Sequence, residues 1–184
     1  MLPFPRMRFQ RVAFLLIAVT LLACTSLRAE DTCPPMNRAT AGGILGAKPN
    51  DVGVAEAQLA VEWHTPTDYV CTFTAGANTL RVTIGPYHAR DGWPAAVQQC
   101  FAKPAPLQAI GNEAVACYSP SDSAPGNTAD ASPLHGEVIS HVRDIFIDVQ
   151  LMLGTPPAPD AARSAALLRE YTRRAAEIVA GNLF

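Results

Sequence analysis

Four cysteines, Cys33, Cys71, Cys100 and Cys117, restrict what this chain can fold into more than any other feature. In an exported protein an even set of thiols is a disulfide framework. Three pairings are open on paper. Cys100 lies near the end of a helix expected over Trp93–Phe101, and Cys117 lies in the strand expected next. A helix folding back on its following strand brings these two together, which favours Cys100–Cys117 and leaves Cys33–Cys71. Zinc ligands usually come in close pairs such as Cys-x-x-Cys, and no such pair occurs. The same absence argues against a redox motif of that type. No metal and no cofactor is expected.

The first thirty residues bear on the compartment. Arg6, Arg8 and Arg11 stand in an acid-free start, followed by twelve uncharged, mostly apolar residues from Val12 to Ala23. A basic start, a short apolar core and a small-residue exit read as a secretory signal. A membrane-spanning helix needs about 20 apolar residues, and this run falls short. Two ends of the signal are open. One cuts after Ala29, giving a signal over 1–29. The other ends at residue 23, where Leu21-Leu22-Ala23-Cys24 resembles a bacterial lipobox and makes Cys24 a candidate lipidation site. The only membrane association expected is through such a lipid anchor, at about 0.8 kcal/mol per buried methylene.

Arg6, Arg8, Arg11 and Arg28 precede Glu30, and no acid does. Of the chain's 14 basic and 16 acidic residues, 10 basic and all 16 acidic therefore fall from Glu30 onward, a net charge of −6. Non-specific affinity for nucleic acid comes from neutralising phosphates, so nucleic acid is not an expected partner. About 155 residues after the signal suit one domain, and 49% hydrophobic content suffices for a core.

The periodicities give an element order. Met36–Leu45 reads as a short helix ended by Gly46. Leu59–Trp63 reads as a strand. Tyr69, Cys71 and Phe73 share a face, a turn follows at Ala75–Asn78, and Leu80, Val82 and Ile84 share a face beyond it, a hairpin signal. Leu107–Tyr118 is a strand bent at Gly111-Asn112. Ser119–Pro133 is expected to be a flexible loop. Glu137–Leu153 carries Ile145, Ile147, Val149 and Leu151 in one phase; Arg143-Asp144 either turns the chain or lies within a continuous strand. Ala161–Asn182 is the best helix, with Leu167, Leu168, Tyr171, Ala175, Ile178 and Val179 on one side and an i,i+4 pair at Glu170 and Arg174. Residues 30–184 are thus expected to form one disulfide-bonded α+β domain, an antiparallel sheet with helices packed on one face.

At Cys33-Pro34, Cys71-Thr72-Phe73, Ala109-Ile110-Gly111-Asn112-Glu113-Ala114, Val142-Arg143-Asp144 and Val179-Ala180-Gly181-Asn182-Leu183 the chain resembles small exported bacterial proteins and lipoproteins of unknown function. It is also loosely similar to extracellular sensor-type domains of actinobacterial lipoproteins and kinases. The resemblance implies an α+β sandwich-like fold with disulfides and carries over no catalytic residue.

Local motifs add little chemistry. His64, His88, His135 and His141 form no His-Glu-x-x-His, although His135 and His141 share a strand phase. Neither Gly-x-Ser-x-Gly nor Ser-x-x-Lys occurs. Asp144 and Asp148 share a phase too, but alternation places them on the solvent side. Gly111-Asn112-Glu113 reads as a plain bend before an anion-binding nest. Trp63, Tyr69 and Trp93 read as core before groove. Two functions are weighed. One is a non-enzymatic envelope domain that binds a small-molecule ligand or a protein. The other is a secreted hydrolase in which Asp144, Asp148 and His141 converge on a cleft.

Overall fold

Alternating apolar residues and tight turns build the sheet. The computed structural model describes Cys33 and residues 35–59, 68–87, 92–119, 133–154, 157 and 160–183. The N-terminal residues 1–32 with Cys24, the residues Trp63, His64 and His88, and 120–132 of the expected loop lie outside these. The strands are β1 (Gly53–Leu59), β2 (Asp68–Ala75), β3 (Asn78–Pro86), β4 (Ala105–Leu107), β5 (Glu113–Ser119), β6 (Leu134–Val142) and β7 (Ile145–Leu153). The helices are α1 (Arg38–Leu45), α2 (Gly92–Gln98) and α3 (Ala161–Asn182), with a 3-10 turn at Pro49–Asp51. The strands form one antiparallel sheet in the order β1-β2-β3-β7-β6-β5-β4. The fold is α+β.

Register follows from the turns. Ala75 faces Asn78 across Gly76-Ala77, with Gly76 at φ 58°, the left-handed conformation glycine adopts without a Cβ clash. Val142 faces Ile145 across Arg143-Asp144, so this dipeptide is a hairpin turn, with Arg143 at φ 55°. The strand expected over Leu59–Trp63 falls, beyond Leu59, outside the described residues, and the first described strand is β1. It spans Gly53–Leu59, and Gly53 pairs with Thr74, where a Cβ would come within 2.7 Å of Thr74 Oγ1. Ala55 and Ala57 give this segment too little hydrophobic contrast to read by periodicity.

Cross-strand partners point to the same face, which separates two layers. Cys71, Phe73, Leu80, Val82, Val138, Val149 and Leu151 meet α1 and α3 in the main core. On the other face Val115 and Ile139 pack with Ala96 of the short α2, flanked by Trp93, Val97, Cys100 and Phe146. Thus α1 and α3 cover one face, and α2 covers part of the opposite one.

On α3 the buried line is Ser164, Leu168, Thr172, Ala175, Ala176 and Val179, while Tyr171 and Ile178 are half-buried at its edge. The helix is turned slightly from the expected stripe because it sits close over Gly136 of β6. A Cβ there would come within 2.4 Å of Thr172 Oγ1, and the Thr172 hydroxyl itself donates to the Leu168 carbonyl at 2.7 Å. The i,i+4 ion pair on its outer side is Arg173–Glu177, 3.1 Å. Asp160 caps the helix, accepting from the N–H groups of Ala162 and Arg163 at 3.0 and 3.2 Å. Replacing Asp160 by Ala is expected to cost about 1 kcal/mol, read from urea melts; an unchanged midpoint would show that water serves those amides equally well.

The disulfides are Cys33–Cys71 and Cys100–Cys117, with Cα separations of 5.9 and 6.0 Å, the pairing favoured by the sequence. They span 38 and 17 residues, for which chain entropy gives about 4 and 3 kcal/mol of stabilisation. Two such bonds place the domain in an oxidising compartment. Among the described residues no helix is long and apolar enough to cross a membrane.

Candidate functional site

The chemistry of this molecule gathers on the sheet face that α2 covers in part. The β6–β7 turn fixes which residues meet there. Glu137 faces Gln150 and Ile139 faces Asp148 across the hairpin. Beyond β7, Arg81 faces Gln150 and Thr83 faces Asp148. On the other side Cys117 of β5 faces Glu137. One row across the sheet therefore runs Cys117, Glu137, Gln150, Arg81, Thr72, and its neighbour runs Val115, Ile139, Asp148, Thr83, Val70.

Gln150 joins two carboxyl groups. Its Nε2 donates to Glu137 Oε1 at 3.0 Å and to Asp148 Oδ2 at 2.9 Å. Glu137 is only 4% exposed. Its second oxygen, Oε2, and the second oxygen of Asp148, Oδ1, are sealed from solvent and have no hydrogen-bond partner among the described residues. Burial pushes the Asp148 carboxyl up to about 7, helped by the negative charge of Glu137 and opposed by Arg81 and the Gln150 amide. Burial also raises Glu137, while Gln150 and the backbone N–H of Phe101 pull it back. Two carboxyls in contact with one amide thus hold a proton near neutrality, because the site disfavours two bare charges.

Glu137 also lies against the second disulfide: one of its carboxylate oxygens and the sulfurs of Cys100 and Cys117 are all within 4.8 Å of one another. The sulfurs are bonded to each other, so they are not thiolate ligands. His135, two residues before Glu137 and on the same face, stacks on Phe101 with ring centroids 4.0 Å apart. Its Nε2 is buried without a partner among the described residues, and burial lowers its pKa, which favours the neutral ring.

His141 belongs to a different cluster at the far end of β6. It stacks on Tyr87 at 4.2 Å and meets the edge of Trp93 at 5.4 Å. Its Nε2 lies 3.4 Å from Glu113 Oε2. The strand phase shared with His135 is real, but six residues of strand separate the two by about 20 Å, so they are not brought together. Gly111, at φ 66°, lets the bend come against β6: a Cβ would lie within 2.3 Å of the His141 carbonyl. Asn112 N–H donates to that carbonyl at 2.8 Å, and Asn112 Oδ1 accepts from Arg143 N–H at 2.7 Å. These bonds make Gly111-Asn112 a clamp on the β6–β7 hairpin; the two residues lie in the loop that reverses the chain between antiparallel β4 and β5, which replaces the single bent strand expected over Leu107–Tyr118.

Asp144 sits exposed at the hairpin tip and Asp148 is enclosed on the sheet, so they do not pair. The solvent-side placement of Asp148 is corrected: alternation gives its face, but neighbouring side chains cover that face. Tyr69 packs against the main core and Trp93 against the smaller cluster. Glu137 and Gln150 escaped the sequence reading. A committed turn at Arg143-Asp144 would have paired them, since hairpin register follows from the turn. The chain matches no protein-family model, and no curated protein matches it.

Proposed function

We propose that this chain is an exported cell-envelope domain that binds a small polar ligand, without catalysing a reaction. The carrying observation is the pair of sealed, unpartnered oxygens, Glu137 Oε2 and Asp148 Oδ1, on a sheet face that continues into the exposed Arg81 and the half-buried Thr72, Thr79 and Thr83. Buried acceptors without donors are costly, and a ligand bearing amine or hydroxyl donors relieves that cost. Export is supported by the basic, then apolar, N-terminal segment and by the disulfides. Periplasmic residence, with lipid attachment at Cys24 as the alternative to cleavage after Ala29, is part of this reading, as is kinship with envelope lipoproteins and sensor domains.

A secreted hydrolase is the second reading, because Glu137 and Asp148 are a true carboxyl pair. Acid–base catalysis on a polymer needs such a pair in an open cleft. Here the Gln150 amide occupies one oxygen of each acid, and Glu137 lies under the disulfide. Purified protein is therefore expected to be inert toward a panel of glycan, ester and peptide substrates. Amide shifts at Thr72, Arg81 and Asp148 on titration with amino sugars and polyamines would support binding. Turnover abolished by Asp148→Asn would establish the hydrolase instead.

A further inference from the structure

We propose that Cys100–Cys117 is a redox-active disulfide, exchanging electrons with a dithiol partner, and that Glu137 is its proton donor. The inference stands apart from the binding reading and rests on the contrast between the two disulfides. Cys33 and Cys71 are 3% and 0% exposed and lie in the main core under α1. No thiolate reaches them without unfolding. Cys100 is half-exposed, in the segment that follows the short α2, while its partner Cys117 is fully buried in β5. Exchange requires an accessible sulfur to attack, so Cys100 Sγ is the point of attack and Cys117 Sγ the leaving group.

A thiolate leaving into a buried, apolar setting is costly. Glu137 faces Cys117 across the β5–β6 ladder, with a carboxylate oxygen within 4.8 Å of both sulfurs. Its Oε2 has no hydrogen-bond partner among the described residues. In the first step a thiolate of the dithiol bonds to Cys100 Sγ. The Cys100–Cys117 bond breaks, and its electron pair stays on Cys117 Sγ, which takes, through Glu137, the one proton that the Glu137–Asp148 pair holds. In the second step the other thiolate of the partner attacks the mixed disulfide and releases Cys100 as a thiolate, which water protonates. The partner is oxidised to a disulfide, Cys100 and Cys117 are reduced by two electrons, and Glu137 is left ionised until it takes a proton from solvent. The reverse sequence reduces a disulfide partner and re-forms Cys100–Cys117 by the same atoms.

Glu137 has titratable neighbours on each side: Asp148 on β7, His135 on its own strand and Arg81 on β3, while α2 contributes none. The experiment treats the folded oxidised domain with graded dithiothreitol and maps alkylated cysteines by mass spectrometry over time and pH. Cys100 and Cys117 are expected to open while Cys33 and Cys71 remain bonded. With the rate divided by the concentration of attacking thiolate, the wild type should slow as pH rises and the Glu137–Asp148 pair loses its proton. Glu137→Gln should react at least about tenfold more slowly at pH 6 and show no such decline. Asp148→Asn should keep the decline. Simultaneous opening of both disulfides, or earlier opening of Cys33–Cys71, overturns the proposal. So does a pH profile unaltered in Glu137→Gln or flattened by Asp148→Asn. Should Glu137→Gln fail to fold, the order of opening and the Asp148→Asn profile decide the question.

Discussion

Asp148→Asn is expected to make the domain more stable above pH 7, by about 2–4 kcal/mol, and to flatten its stability between pH 4 and 7. The carboxyl of Asp148 titrates near 7 in the fold against an ordinary 3.8. Across that interval the folded chain holds a proton that the unfolded chain has lost. Stability therefore falls as pH rises from about 4 to 7 and stays reduced above, because a group with a raised pKa contributes stability only while protonated. About 1.4 kcal/mol per unit gives the scale, discounted because the residue retains some solvent contact. Glu137, raised in the same direction, adds to the slope. His135, whose pKa is lowered, opposes it on the acid side of its ordinary 6.5: its folded state disfavours the proton, so its contribution grows with pH. Urea denaturation from pH 4 to 8 separates these effects. An Asn variant no more stable than wild type at pH 8 would mean that the carboxylate is compensated in the native protein.

Leu168→Ala should cost about 2–5 kcal/mol, the range for truncating a core leucine that leaves a cavity. Leu168 is 1% exposed and packs where α3 lies over Gly136. Collapse into the vacated space is limited by the Thr172 and Gly136 contact beside it, so the upper half of that range is expected. Ile178→Ala, at the half-buried edge, should cost less. Denaturant midpoints at constant slope would measure both, and a Leu168→Ala loss below 1 kcal/mol would show that α3 contributes little to the core.

Much of this architecture was legible before any coordinates. Periodicity of 2 in β2, β3 and β7 and of about 3.6 in α3 reports burial of one face, and that local signal survives in a single chain. The disulfide pairing followed from a helix returning on its next strand. Alanine-rich β1 went unread ahead of Leu59 because small side chains carry little pattern. Tyr171 and Ile178 lie at the edge of the α3 stripe because a contact from another element, Gly136, turned the helix.

The chemistry of the opposite face depended on things no local window contains. Alternation correctly separates Asp148 from Ile147 and Val149, but only the packed neighbours decide whether that second phase meets water. Glu137 and Asp148 are eleven positions apart in sequence and become a carboxyl pair through a single turn. Glu137 and Cys117 become neighbours through the pairing of β5 with β6. The amino-acid order by itself determined strand phases, the long helix and a disulfide-bonded class, because each is encoded in near-neighbour spacing or in residue count. Tertiary structure alone decided which polar side chains lost their water, because desolvation is a property of the surroundings, and those surroundings come from strands remote in the chain.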